Sequence, residues 1–224
     1  MNNDIQIQND IIEQLSWDPF LQLSEIGVIV KNGIVTLSGQ VDSYARKVAA
    51  ENAVRKISGV KAIAEDIRID VSPAGNKNDA EIALAVYTAL KWHVAVQEEN
   101  IKIKVENGHV QLEGEVDWEY QRKNAEKTIE NIMGVRALSN LIRLKQRITT
   151  DNIEQKINYA FHRSANLYAE KIAAQVYGNK VILRGTVRSF AEREDAENAA
   201  WSAPGVNIVE DNLVIEKPEF AMDE

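Results

Sequence analysis

The chain has 224 residues and no cysteine, which excludes disulfides, thiolate metal sites and cysteine nucleophiles. Hydrophobic residues make up 45% and charged residues 27% of the chain, as in folded globular proteins rather than disordered ones. The net charge of −8 argues against binding to the nucleic-acid backbone, so we expect no nucleic-acid partner.

The N-terminal segment predicts a helix, because Ile11, Ile12 and Leu15 follow helical spacing. The segment lacks the basic start and long apolar core of a signal peptide. No later segment approaches the ~18 apolar residues of a transmembrane helix. These features predict a cytoplasmic protein, with a periplasmic location as the alternative if a leader preceded Met1.

The segment 30–41, VKNGIVTLSGQV, predicts two short strands joined by a tight turn. Asn32-Gly33 lies between alternating apolar residues, and Asn-Gly suits a type I′ hairpin because both central residues need a positive φ. The same pattern returns as VENGHVQLEGEV at 105–116 and as VYGNKVILRGTV at 176–187. The third copy has Gly178-Asn179 at its turn.

A second helix is predicted after each hairpin. Asp42 or Ser43 is suited to accept a hydrogen bond from a free backbone N–H at its start, as are Asp117 and Ser189 in the later copies. Its inner face is narrow and follows helical spacing: Ala50, Ala53, Val54 and Ile57. A final apolar strand follows in each copy.

Six glycines fix the length of the repeating unit. Three of them are each followed, 20 residues later, by a glycine that precedes a valine; the pairs are Gly39 and Gly59, Gly114 and Gly134, and Gly185 and Gly205. The first helices of the later copies are marked by Ile82, Leu84, Val86 and Leu90, and by Ile153, Ile157 and Phe161. We therefore predict an α+β fold of three tandem αββαβ domains, each with two helices packed on one face of a three-stranded mixed sheet.

The sequence offers no convergent catalytic group. The three histidines occupy different positions in their repeats, and no metal-ligand spacing such as HExxH is present. We predict a protein that is not an enzyme, with no catalytic residue, no organic cofactor and no metal site.

The middle repeat has a distinctive edge at the start of its second helix. Trp118 stands where the other repeats have serine, and Tyr120, Arg122, Lys123 and Lys127 follow it. The third repeat has Glu194 and Asn198 at the positions of Lys123 and Lys127. An aromatic and basic edge of this kind favours contact with an anionic lipid surface or a protein partner.

The order of elements, the spaced glycines and the Gly-Val pair before the last strand resemble the BON (bacterial OsmY and nodulation) domain family. The resemblance covers three domains, at residues 7–71, 78–146 and 150–216. It implies stress-associated envelope proteins whose domains bind phospholipid surfaces.

Two functions follow from the repeats and the resemblance. The first is a stress-associated binding protein that makes weak multivalent contacts with phospholipid surfaces or protein partners. The alternative is a structural protein that self-associates into a homo-oligomer through its repeated faces or its sheet edges.

Overall fold

The structure is a computed structural model that describes residues 2–21, 25–70, 77–93, 101–145, 157, 160, 169–203 and 205–216. The first repeat consists of α1 (Asn2–Trp17), β1 (Glu25–Lys31), β2 (Ile34–Val41), α2 (Tyr44–Arg55) and β3 (Ala62–Ile69). The second consists of α3 (Asp79–Trp92), β4 (Ile101–Glu106), β5 (His109–Val116), α4 (Glu119–Glu130) and β6 (Ala137–Leu144). Within the described residues, the third contains a short 3-10 helix (Ala169–Lys171), β7 (Ile172–Tyr177), β8 (Lys180–Val187), α5 (Phe190–Trp201) and β9 (Ile208–Ile215).

Each repeat forms its own mixed three-stranded sheet. The hairpin strands pair antiparallel, and the last strand pairs parallel to the second hairpin strand, which is therefore central. The other two repeats have the same order, and each of the three has a separate apolar core between its sheet and its helices. The predicted α+β fold of three tandem domains is confirmed.

The inner faces of the first helices are narrower than the apolar pattern suggests. In α1 the buried residues Ile7, Ile11 and Leu15 recur every four positions, and in α3 the buried residues are Ile82, Val86 and Leu90. Two apolar residues that marked these helices in the sequence, Ile12 and Leu84, are exposed. In the third repeat Ile157 is buried, while Ile153 and Phe161 lie outside the described residues.

The Asn-Gly turns have the predicted conformation. Asn32 and Gly33 have φ angles of 55° and 77°, and the turn of the middle repeat is nearly identical. In the third turn the positive φ belongs to Gly178 (61°), as in a type II′ turn. The Asp4 carboxylate in α1 accepts hydrogen bonds from the backbone N–H groups of Asn32 (2.7 Å) and Gly33 (2.9 Å), which ties the first helix to the hairpin.

The repeating glycines are required by the backbone. All six have positive φ: Gly39, Gly59, Gly114, Gly134, Gly185 and Gly205. A Cβ atom on Gly39 would lie 1.8 Å from the carbonyl oxygen of Glu25 on the neighbouring strand. The central strand can approach β1 this closely only because no side chain is present.

The predicted capping pattern is correct for one repeat. The Ser189 hydroxyl accepts a hydrogen bond from the Glu192 N–H at 3.2 Å, at the start of α5. Ser43 stands at the cap position of α2, but its hydroxyl bonds to Asp42 instead. At α4 the cap residue is Trp118 rather than Asp117. The backbone N–H of Trp118 donates a hydrogen bond to the side-chain oxygen of Gln121 at 3.0 Å.

Candidate functional site

The second helices of the three repeats meet where the repeats join. Helix α2 of the first repeat packs against both α4 and α5. Because small alanines line the inner faces of these helices, the helices sit close to their own sheets and leave their outer faces for contact with one another.

The junction between the first and second repeats is formed by an aromatic residue. Tyr44, the first residue of α2, packs against the apolar core of the middle repeat. Burial raises the pKa of the Tyr44 hydroxyl to about 12, and the nearby Glu126 and Glu130 of α4 add to this shift. Tyr44 therefore stays neutral and acts as a packing residue at this junction.

The junction between the third and first repeats uses the equivalent position. Phe190, the first residue of α5, packs against the core of the first repeat. The backbone N–H of Gly59 donates to the carbonyl oxygen of Arg188 at 3.4 Å, and the Arg55 guanidinium lies 3.5 Å from the Glu194 carboxylate. The start of α5 thus rests on the end of α2, as the start of α2 rests on the end of α4.

The junction between the second and third repeats has different chemistry. Glu119 replaces the aromatic residue and is only 6% exposed. Its Oε1 accepts from Nε (3.1 Å) and from a terminal nitrogen (2.7 Å) of Arg122, whose guanidinium lies 5.4 Å from the Trp201 ring centroid at the end of α5. Oε2 of Glu119 has no hydrogen-bond partner within the described part of the chain, and burial raises the pKa of this carboxyl group.

Lys123 strengthens the same junction. Its ammonium group lies 3.4 Å from the Glu194 carboxylate and also bonds to the Asn198 side chain. The start of α4 therefore rests on the end of α5. The three head-to-tail junctions close a ring of three repeats.

The ring explains where the structure places the five predicted contact residues. Arg122 and Lys123 are half-buried in the junction with the third repeat, and Trp118 beside them is half-buried. Tyr120 is 54% exposed and Lys127 is exposed. The five residues do not form one open surface, and only Tyr120 and Lys127 are freely accessible to a large ligand.

A different face of the middle repeat is open and apolar. Leu84 (67% exposed) and Tyr87 lie one turn apart on the outer side of α3, with Lys91 one turn beyond. The Lys91 ammonium lies 5.9 Å from the Tyr87 ring centroid, and Trp92 at the end of the helix is 79% exposed. We call Leu84, Tyr87, Lys91 and Trp92 the outer face of α3.

The corresponding face of the first repeat shares the apolar residues but not the charge. Ile5, Ile12 and Trp17 are exposed on α1, with Trp17 at 75%. Helix α1 carries no lysine or arginine, whereas it carries Asp4, Asp10 and Glu13. The α1 face therefore lacks the basic residue that accompanies the aromatic residues of α3.

Sequence reasoning missed the outer face of α3, although the sequence contained a signal for it. Three apolar residues at four-residue spacing already fill the inner side of the helix, so Leu84 and Tyr87 had to face outward. Trp17 and Trp92 occupy the same position in their repeats, and an exposed tryptophan repeated at one place is not explained by core packing.

A polar cavity of about 340 Å³ lies where the three repeats meet, lined by Arg55, Lys123, Phe190, Arg193, Glu194 and Glu197. Burial raises the pKa of Glu197 to about 7, and the adjacent Asp211 adds to this shift. Arg193 pairs with Asp211, and Lys123 pairs with Glu194. The charged residues that line the cavity therefore form ion pairs with other residues of the protein.

Two further features bear on ligands. Within the described ranges, no group of three or more histidine, aspartate or glutamate side chains is placed to hold a metal ion. Across the same ranges, no helix is both long and apolar enough to cross a membrane.

Comparison with known proteins links the three repeats to one family. The sequence pattern of the BON domain matches residues 3–71, 78–146 and 149–217. The chain is 26% identical over 129 residues to osmotically-inducible protein Y of Escherichia coli (strain K12), a match that spans 56% of this chain and 64% of that protein's length. It is also 26% identical over 125 residues to an uncharacterized protein of Anaplasma centrale, covering 54% of this chain and 83% of that protein.

Among solved structures, CdsD, a structural protein of the type III secretion system of Chlamydia trachomatis, matches over 96% of this chain and 94% of its own at 14% identity. The TM-score of that match is 0.28, so it carries no structural conclusion. The three matches to the BON pattern together span most of the sequence. The chain therefore belongs to the BON domain family.

Proposed function

We propose that this protein is a non-enzymatic, stress-associated binding protein whose middle repeat contacts anionic phospholipid surfaces through the outer face of α3. The observation that carries the proposal is the exposure of Trp92 and Leu84 beside Lys91 on one helix. Tryptophan and tyrosine prefer the boundary between lipid headgroups and acyl chains. Transfer of a large exposed apolar side chain from water into that boundary lowers the free energy of the system.

The charge of the middle repeat supports an anionic surface. The segment 77–148 is neutral overall, whereas the segments before and after it carry −3 and −5. Each lysine or arginine near an anionic membrane contributes about 1 kcal/mol, and acidic residues oppose binding by repulsion. The middle repeat is therefore the repeat that an anionic surface repels least.

Tyr120 and Lys127 remain part of the proposal as accessory contacts, because both are exposed on α4, which packs beside α3. Arg122 and Lys123 are assigned to the junction instead. The exposed Ile12 and Trp17 of α1 offer a second, weaker contact. Linked weak contacts gain by effective concentration if they reach one surface together.

The assignment to stress rests on the relative. One similar protein is named as osmotically inducible, and it is matched over 64% of its length.

Co-sedimentation of the full chain with vesicles tests the proposal. We expect binding to vesicles that contain phosphatidylglycerol, little binding to pure phosphatidylcholine, and a loss of binding as salt is raised. Trp92→Ala should weaken binding by about threefold to tenfold, since it removes roughly 1 kcal/mol of apolar contact. Lys91→Glu should weaken binding by at least as much, since it removes a basic side chain worth about 1 kcal/mol and adds an acidic one.

Trp17→Ala is the matched control, because Trp17 is equally exposed at the same position of a repeat that lacks the basic residue. It should change binding by less than Trp92→Ala does. Equal binding to both kinds of vesicle, or wild-type binding by the Trp92→Ala and Lys91→Glu variants, would contradict the proposal.

A further inference from the structure

Both Asn-Gly turns are held by a carboxylate from the first helix of the same repeat. In the first repeat Asp4 accepts from both backbone N–H groups of the turn. In the middle repeat Asp79 accepts from the backbone N–H groups of Asn107 at 2.8 Å and Gly108 at 2.9 Å. In each case the acid precedes the asparagine by 28 residues. The two turns are therefore pinned in the same way by a charge that belongs to another element.

An asparagine that is followed by glycine can lose its side-chain amide without an enzyme. The backbone nitrogen of the glycine gives its proton to solvent and attacks the side-chain carbonyl carbon of the asparagine, ammonia leaves, and a cyclic imide forms. Water then opens the imide to aspartate, or to isoaspartate, in which the main chain runs through the side-chain carbon. Glycine favours the reaction because no Cβ obstructs its nitrogen. Asn32 and Asn107 are both exposed to the water that the last step consumes.

The aspartate contacts oppose the first step of this reaction. The nitrogen of Gly33 or Gly108 must lose the proton that it donates to the carboxylate, and the resulting anion would face a negative charge. The hydrogen bonds from Asn32 and Gly33 lower the pKa of Asp4, so this carboxyl group stays ionised. The same bonds fix the peptide between the two turn residues, which must rotate to bring the nitrogen onto the side-chain carbon.

We propose that Asn32 and Asn107 are deamidation sites that the first helices of their repeats keep unreactive. When α1 or α3 leaves its sheet, the protecting carboxylate leaves with it and the turn reacts. The product places a second carboxylate beside Asp4 or Asp79, where like charges repel. Isoaspartate also adds an atom to the backbone of a turn whose geometry depends on two residues of normal length. The modification thus records the detachment of a first helix and hinders its return.

The third turn reverses the order of the two residues and lacks this chemistry. Asn179 is followed by Lys180 instead of glycine, and the lysine side chain obstructs the attacking nitrogen. The carbonyl oxygen of Asn179 also accepts a hydrogen bond from the backbone N–H of Asn207 at 3.0 Å, which holds this peptide in place. Asn179 is therefore an internal reference that should stay intact in every sample.

Peptide mass spectrometry of the full chain, incubated at mildly alkaline pH, measures each site separately. Cleavage after lysine and arginine places the three turn asparagines on different peptides, at residues 32–46, 105–122 and 172–180. The native chain should retain its amides over a period in which the urea-unfolded chain converts most of the Asn-Gly sites. The peptide that carries Asn179 should keep its mass in both samples.

Asp79→Ala tests the protecting contact. It should speed deamidation of Asn107 at least about tenfold, because hydrogen bonds to a charged acceptor are lost, and leave Asn32 unchanged. Asn78→Ala is the matched control. It removes the cap of the same helix, whose side chain accepts from the Glu81 N–H at 2.9 Å, but keeps the carboxylate. Urea denaturation gives the stability that each variant loses, and Asp79→Ala should accelerate the reaction beyond what its own loss accounts for.

Three results would overturn the proposal. The first is native deamidation as fast as that of the unfolded chain. The second is an acceleration by Asp79→Ala no greater than that by Asn78→Ala at equal loss of stability. The third concerns Asn107→Asp, which reproduces one product of the reaction and should lower the urea midpoint; an unchanged midpoint would show that the new charge does not oppose the docking of α3.

Discussion

Lys123 and Glu194 occupy the same position in consecutive repeats and form an ion pair with each other, with 3.4 Å between Nζ and Oε1. In the sequence, a basic and an acidic residue stand at equivalent positions of two similar domains. In the folded chain these two residues contact each other, because α4 and α5 meet head to tail. The divergence of the repeats thus contributes to holding the ring closed.

Glu194→Gln should loosen two junctions at once. Its carboxylate pairs with Lys123 of the second repeat and with Arg55 of the first. All three side chains are about one third to one half exposed, so we expect a loss of only about 1 kcal/mol in the free energy of unfolding. Urea denaturation measures this loss, which should shrink at high salt. Glu115→Gln, on the open face of the middle sheet, should change stability much less.

Arg122→Ala should destabilise the junction between the second and third repeats. The change removes the contact with Trp201 and leaves the buried Glu119 carboxylate without its cation. We expect a cost of about 2 kcal/mol in unfolding free energy, from the lost cation–π contact and the unpaired acid. Arg143→Ala, at an exposed position of β6, is the control, and an equal effect of the two changes would contradict the assignment.

Glu197→Gln should change the dependence of stability on pH. Burial and the nearby Asp211 raise the pKa of Glu197 to about 7, whereas the unfolded chain titrates near about 4.3. The folded state therefore holds an extra proton between these values, and this group lowers stability as the pH rises through that window. The variant should be more stable than the wild type by roughly 1 kcal/mol at about pH 8, after allowance for partial exposure, and nearly equal at about pH 4.

Thermal unfolding at the two pH values checks this expectation. Glu126→Gln provides a control, because Glu126 is the exposed glutamate at the equivalent position of the middle repeat. A benefit of Glu197→Gln that is the same at both pH values would rule out the titration of this carboxyl group as its cause.

Two glycines of the third repeat allow the cost of a steric clash to be measured apart from the cost of a positive φ. A Cβ on Gly185 would lie 1.9 Å from the carbonyl oxygen of Lys171, whereas a Cβ on Gly178 would meet no described atom within 4 Å. Both have positive φ. Gly185→Ala should therefore cost about 3 kcal/mol or more, and Gly178→Ala about 1 kcal/mol. Urea midpoints measure the difference, and similar midpoints would contradict the close approach.

The sequence by itself determined the fold of each repeat. Local interactions encode its parts: Asn32-Gly33 sets a turn that needs two positive φ angles, and Ala50 and Ala53 make a helix face thin enough to lie on a sheet. The constant glycine spacing then revealed three copies. These features depend on residues close in the chain, so they can be predicted without knowing how the repeats are arranged.

Tertiary structure alone decided which surfaces remain open. Arg122 and Lys123 have the same chemistry whether they face lipid or another repeat, and only the closure of the ring places them against Trp201 and Glu194. Likewise, the sequence shows only that Leu84 is an apolar residue of α3. The side chain is exposed because other apolar residues fill the inner side of that helix. The physical reason is that burial depends on contacts between residues distant in the chain, which repeat periodicity does not specify.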